Sequence, residues 1–204
     1  NSIWGRTFAL LTGDFLFTKV YELMAPYGEL NGLFAEATIA LVEGETLQAS
    51  AVKNRNLSRE VYYQIIERKT AALFKMGAEL GGRLSNAPET QIDALRLYGN
   101  NIGLAFQIVD DILDLTGDAE QLGKTAGIDI QQGKGFAAIK ENGGNGSDPM
   151  DAFKAKLMQG DRIEQGQQQA RMLVDAGIAA LDALPPTPYR DAMVELAQVV
   201  VNRS

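Results

Sequence analysis

The chain of 204 residues has room for one sizeable domain, and with 46% hydrophobic and 22% charged residues it has the composition of an ordinary folded protein. It contains no His and no Cys, which excludes imidazole- or thiol-based metal sites, disulfides, and every catalytic triad or dyad that needs either group. Its 19 Lys plus Arg against 26 Asp plus Glu give a net charge of -7, the wrong sign for a general nucleic-acid binder, so chemistry must rest on carboxylates, Lys, Arg, hydroxyls, amides or a bound hard cation.

The chain opens on Asn1-Ser-Ile-Trp-Gly5 with no basic-then-apolar leader, and no stretch reaches the ~18 apolar residues of a membrane span. The expectation is a cytoplasmic protein without a transmembrane segment, and the missing initiator Met is consistent with a fragment. Trp4, Phe8, Leu11 and Phe15 lie on one helical stripe, continued by Leu16, Val20 and Leu23 and ended by Pro26 and Gly28. A second helix is predicted from about Asn31 to Ala51. A third follows Ser58 as its N-cap, carries Val61, Ile65, Leu73, Met76 and Leu80, and is expected to stop at Gly81-Gly82. Pro88 then occupies the first turn of a long apolar helix that reaches Thr116.

Residues 117–135 read as a Gly-rich loop and residues 140–148, around the run Asn142 to Ser147, as a flexible one. Asp148-Pro149, Asp161 with Glu164, and Thr187-Pro188 carry helix-start signals, which predict three C-terminal helices within residues 149–204. No segment shows strand alternation and nothing repeats at about 20 to 50 residues. The sequence thus predicts a single all-α domain of packed helices over residues 1–204.

The most informative segment is Gly103 to Asp114. Ile102, Leu104, Phe106, Ile108, Val109, Ile112, Leu113 and Leu115 cover most of the helix circumference, as expected of a helix buried on nearly all sides. Gly103, Gln107, Asp110 and Asp114 nevertheless form a polar stripe at steps of three and four, with Asp111 one position to its side. Carboxylates four residues apart repel, by about 0.2 to 0.5 kcal/mol on an exposed helix and by more where water is scarce. A solvated acidic helix end is the plain alternative. The apolar surroundings favour a hard divalent cation, and Mg²⁺ suits an all-oxygen set of one or two carboxylates completed by water and phosphate.

Gly117 to Thr125 is not a P-loop, because the Gly-to-Gly-Lys spacing is one residue too long and a helix precedes it where a strand is required. It still brings Lys124 and Lys134 to the carboxyl end of the aspartate helix, a pairing suited to a diphosphate unless both lysines are simply solvated. Lys69 lies on the apolar stripe of its helix, between Ile65 and Leu73, where a cation is costly unless paired. Snorkelling to solvent explains Lys69 alone. Taken with Thr70, Gln107 and the aspartates, a shared anionic ligand explains it better.

These residues resemble the trans-prenyl diphosphate synthases, the family that includes farnesyl, geranylgeranyl and longer polyprenyl diphosphate synthases. Phe106-Gln-Ile-Val-Asp-Asp-Ile-Leu-Asp114 is similar to the family's second aspartate-rich motif, and Gly123-Lys124, Gly127-Ile-Asp129-Ile and Gly133-Lys134 to the loop after it. Trp4-Gly5, Gly13-Asp-Phe-Leu16, Glu43-Gly-Glu-Thr-Leu-Gln48 and Lys69-Thr70 follow the family's order upstream. The resemblance spans most of residues 1–135. It implies an isoprenoid-synthase helical bundle that condenses an allylic prenyl diphosphate with isopentenyl diphosphate, is Mg²⁺-dependent, and forms a homodimer. It further implies that Asp110, Asp111 and Asp114 hold Mg²⁺ and that Lys69, Thr70, Gln107, Lys124 and Lys134 contact the allylic diphosphate or its metal shell. Asp110, Asp111, Lys69 and Lys124 are then the catalytic candidates, and Glu43 and Gln48 fit a polar network as well as a motif.

Two departures matter. The family's first aspartate-rich motif precedes the Asn-x-x-Trp-Gly region, so half the metal site falls before Asn1 and the expectation is little activity from this chain alone. After Lys134, Gly-Phe-Ala-Ala-Ile replaces the common Thr-Leu-Pro. The competing readings are a non-catalytic regulatory subunit of a heteromeric synthase and a terpene cyclase, the second opposed by the Gly-Lys loop.

Overall fold

The computed structural model describes residues 3–54, 56, 58–116 and 162–203, and among them every regular element is helical. The helices are α1 (Gly5–Met24), α2 (Leu30–Lys53), α3 (Arg59–Ile66), α4 (Ala72–Leu84), α5 (Glu89–Thr116), α6 (Arg162–Ala180) and α7 (Pro188–Val201). A π-helical turn, Glu67–Ala71, joins α3 to α4, and short 3₁₀ turns follow α1 and α6. No described helix is long and apolar enough to cross a membrane. The expected Gly-rich loop 117–135, the expected flexible stretch 140–148 and the expected helix start at Asp148-Pro149 lie outside the described residues.

Residue contacts group the chain into two units, Asn1–Glu36 and Ala37–Ser204. In the first, α1 follows its predicted stripe and passes into a 3₁₀ turn at Pro26 that ends on Gly28 with φ 46°. Trp4, Phe8, Leu11 and Phe15 are nevertheless exposed. Phe17, Tyr21 and Phe34 form an aromatic cluster with ring centroids 5.1 to 6.4 Å apart, at separations where edge contacts are favourable.

The second unit is organised around α5, which packs against α4, the π turn, α6 and α7. Its Ile102, Ala105, Ile108, Val109 and Ile112 meet Tyr62 and Ile66 from α3, Ala170 and Val174 from α6, Leu181, and Ala197 and Val200 from α7. Each large aliphatic side chain buried this way contributes about 1.5 to 3 kcal/mol. Two predicted caps hold. The Ser58 hydroxyl accepts from the Val61 N–H at 3.3 Å, and the Thr187 hydroxyl from the Arg190 N–H at 3.2 Å with Pro188 opening α7.

The third predicted helix does not stop at Gly81-Gly82 but runs on to Leu84. Gly82 serves packing instead, since a Cβ there would sit 2.9 Å from Leu95 Cδ1 on α5. The stop is Asn86, at φ 54°, where the Ala87 N–H bonds the Gly82 carbonyl and the Asn86 N–H the Arg83 carbonyl, both at 3.0 Å. That is a Schellman closure with Asn supplying the left-handed residue. Pro88 stands one residue before α5, its carbonyl accepting from Gln91 and Ile92.

Beside this turn Glu79 is buried, with its carboxylate 2.8 Å from Arg83 and 2.7 Å from Arg96, which also reaches Glu89 at 3.0 Å and Asp93. The Arg96 hydrogen bond, opposed by burial and helped by Arg83, holds the Glu79 carboxyl below the usual range. A lowered native pKa gives stability that is complete above the unfolded value of about 4.3 and is lost as pH falls through the native value. Glu79→Gln is therefore expected to be less stable than wild type at pH 7, with the gap closing below about pH 4 in urea titrations. The glycines separate by their surroundings. Gly81→Ala, with open space around it, should raise stability by about 0.5 to 1 kcal/mol, whereas Gly103→Ala, whose Cβ would lie 2.6 Å from Ala71 Cα, should lower it by about 1 to 3 kcal/mol in the same assay.

Candidate active site

The π turn carries Lys69 and Thr70, and two helix backbones close on it. A Cβ on Gly44 of α2 would stand 2.7 Å from the Lys69 nitrogen, and one on Gly103 of α5 2.6 Å from Ala71 Cα. The Ala72 N–H reaches back to the Glu67 carbonyl, the wider hydrogen bond that defines a π turn. Such turns occur disproportionately at functional sites, because the extra residue re-aims the side chains around it.

On the α2 side the Lys69 ammonium is 3.1 Å from a Glu45 oxygen and donates to Gln48 Oε1 at 3.2 Å, while Arg68 approaches Glu43 at 3.8 Å. The cation on the apolar stripe thus meets a carboxylate and an amide oxygen of α2. Gln48 and Glu43 take the polar-network role. The sequence reading does not single out Glu45, although it lies between them in the same run.

On the α5 side a second network begins at Thr70, whose hydroxyl donates to Gln107 Oε1 at 2.7 Å. The Gln107 amide nitrogen donates to Asp111 Oδ1 at 3.2 Å, and the Tyr62 hydroxyl donates to Asp111 Oδ2 at 2.7 Å. Asp111 is only 4% exposed. Burial, and then the Asp111 charge, push the Tyr62 phenol well above its ordinary pKa. Asp110 is half-buried and Asp114 exposed on the last turns of α5.

The structure therefore joins Thr70, Gln107 and Asp111 directly, sets Lys69 on the same π turn, and carries Asp110 and Asp114 onward along the helix. Lys124 and Lys134 lie outside the described residues. Among the described residues no three acidic side chains converge into a cage for a metal. Mg²⁺ requires none, since it is commonly held by one or two carboxylates with water and phosphate, and the all-oxygen donors here fit it. Tyr62 was missed. The available signal was a tyrosine beside the apolar positions 65 and 66, where a buried phenol needs a polar partner. Arg203 was missed as well: it lies 4.2 Å from the Phe106 ring centre and donates to the Phe106 carbonyl at 3.4 Å.

The polyprenyl synthetase family model matches residues 1–165, which include this whole arrangement except Arg203. The chain belongs to the polyprenyl synthetase family. Over 224 aligned residues it is 33% identical to octaprenyl diphosphate synthase of Escherichia coli K12, covering 100% of this chain and 69% of that relative. A polyprenyl synthase from Caulobacter crescentus CB15, solved in complex with calcium and isoprenyl diphosphate, superposes with a TM-score of 0.82 at 33% identity over 98% of this chain and 67% of its own. A decaprenyl diphosphate synthase from Rhodobacter capsulatus gives 0.78 at 32%, over 98% and 68%. The fold is the all-α isoprenoid-synthase fold, and prenyl transfer in isoprenoid biosynthesis is the chemistry of the polyprenyl synthetases.

The glycine of the Glu43-Gly-Glu45 run acquires a physical reason here, because only a residue without a Cβ lets α2 touch the turn bearing Lys69. Gly44→Ala should destabilise the fold by about 1 to 3 kcal/mol, read as a lower urea midpoint at unchanged slope. An unchanged midpoint would show that the two backbones need not touch.

Proposed function

We propose that the chain carries the diphosphate-binding half of a trans-prenyl transfer site, in which an allylic prenyl diphosphate is elongated by isopentenyl diphosphate. In that reaction the allylic carbon–oxygen bond breaks with its electron pair leaving on the diphosphate. The double bond of isopentenyl diphosphate then attacks the allylic cation, and a proton is lost. Mg²⁺, when bound, neutralises charge developing on the departing diphosphate.

The observation that carries this reading is the continuity of Thr70, Gln107 and Asp111 with the aspartates at the end of α5. Asp110 and Asp114 are the proposed ligands, since they lie one helical turn apart and offer hard oxygens where α5 becomes exposed. Both oxygens of Asp111 already accept from protein donors, which favours a supporting role for it. Lys69, Thr70 and Gln107, with Lys124 and Lys134 further along the chain, are the proposed contacts to the allylic diphosphate, lysine being a compact charge suited to phosphate oxygens. That the Caulobacter crescentus relative was solved with calcium and isoprenyl diphosphate supports a divalent cation and a prenyl diphosphate at this kind of site. The relatives' names as prenyl diphosphate synthases favour elongation over cyclisation.

Calorimetric titration with pyrophosphate tests the reading. Binding is expected only when Mg²⁺ is present, and Asp110→Ala should weaken it by at least about tenfold. Binding that is indifferent to Mg²⁺ or to the substitution would overturn the metal assignment.

A further inference from the structure

Tyr62 is a buried polar group that neither the family motifs nor the proposed ligand set uses. Its hydroxyl ends a chain of hydrogen bonds that runs through Asp111 and Gln107 to Thr70, crossing from α3 to α5 and back to the π turn. The donors and acceptors run in one direction along this chain. The Gln107 side chain turns its amide nitrogen toward Asp111, which leaves its oxygen facing Thr70 to accept from the Thr70 hydroxyl. Were Asp111 to rotate, the Gln107 amide would lose the partner that sets its orientation. Asp111 has two oxygens, and Tyr62 holds the one that Gln107 does not use.

We infer that Tyr62 is a positioning residue of the site: by anchoring Asp111, it fixes the orientation of the Gln107 amide and of the Thr70 hydroxyl beside Lys69. The inference rests on the diphosphate reading above for its consequence in binding, though the coupling of the three side chains stands on the hydrogen bonds alone. Tyr98 supplies the comparison. It is an equally buried tyrosine in the same core, with its hydroxyl donating at 2.7 Å to the Met193 carbonyl, away from this chain.

The experiment is a pair of double-mutant cycles in urea, Tyr62→Phe with Gln107→Ala and Tyr98→Phe with Gln107→Ala, followed by calorimetry with pyrophosphate and Mg²⁺. For the Tyr62 pair the effects on the unfolding constant should depart from their product by about threefold or more, whereas for the Tyr98 pair they should multiply. Tyr62→Phe should also weaken Mg²⁺-pyrophosphate binding by about tenfold, the usual scale for a group one step behind a ligand, and Tyr98→Phe should change it less than about twofold. A merely structural hydroxyl would make the two tyrosines alike, in the cycles and in binding, and that result overturns the inference. Should Tyr62→Phe fail to fold, Asp111→Asn keeps the shape while freeing the Gln107 amide to turn, and the same loss of binding is expected; full binding by that variant overturns it. If the wild-type chain binds no pyrophosphate, the diphosphate reading falls, and multiplicative effects for the Tyr62 pair then overturn the positioning role separately.

Discussion

Gly44 on α2 and Gly103 on α5 bring two helix backbones against the same π turn, at positions where a Cβ would stand 2.7 and 2.6 Å from backbone atoms. Interiors are packed too tightly to absorb such an overlap by small adjustments, so the turn is held from both sides by backbone. The polar geometry follows from this clamp. Lys69 is carried within reach of Glu45 and Gln48 because α2 can lie close, and Thr70 meets Gln107 because α5 can. A larger residue at either glycine would separate partners whose bonds operate over tenths of an ångström.

The clamp also accounts for how a lysine and an aspartate persist among apolar helices. Lys69 is partly exposed, and an ion pair of that kind is worth at most about 1 kcal/mol, so it relieves a cost more than it stabilises the fold. Asp111 is the more demanding group, since a nearly buried carboxylate is unfavourable unless its lone pairs are occupied. Tyr62 and Gln107 occupy them, and no buried side-chain nitrogen or oxygen among the described residues lacks a partner. A network satisfied to this degree selects one arrangement of its members over all others.

Much of this was legible in the sequence because caps and periodicity are local. Ser58 and Thr187 announce α3 and α7 through their own hydroxyls, and the all-helical pattern needs no tertiary information. The π turn left no such trace, since Glu67 to Ala71 has the periodicity of the helices on either side. Gly81-Gly82 reads as a stop because glycine has two uses, chain termination and close packing, and sequence alone does not separate them. Asn86 does the terminating. For the candidate site, Thr70, Gln107 and Asp111 were found by residue type, whereas Glu45 and Tyr62 were not, because their partners lie on other helices and far away in sequence.

The pair Asp110-Asp111 shows why a motif is not yet a site. Adjacent residues on an α-helix point about 100° apart, so two identical side chains must enter different surroundings. One faces α3 and is enclosed by Tyr62 and the Gln107 amide. The other shares its side of the helix with Asp114, one turn on, where α5 emerges from the core. A chain without imidazole or thiol draws its polar scaffold from the same few oxygen-bearing side chains that the proposed site would offer to a cation. Helical rotation lets one short acidic run serve both the scaffold and the proposed cation site, the buried carboxylate bonded to the amide and, through it, to the hydroxyl.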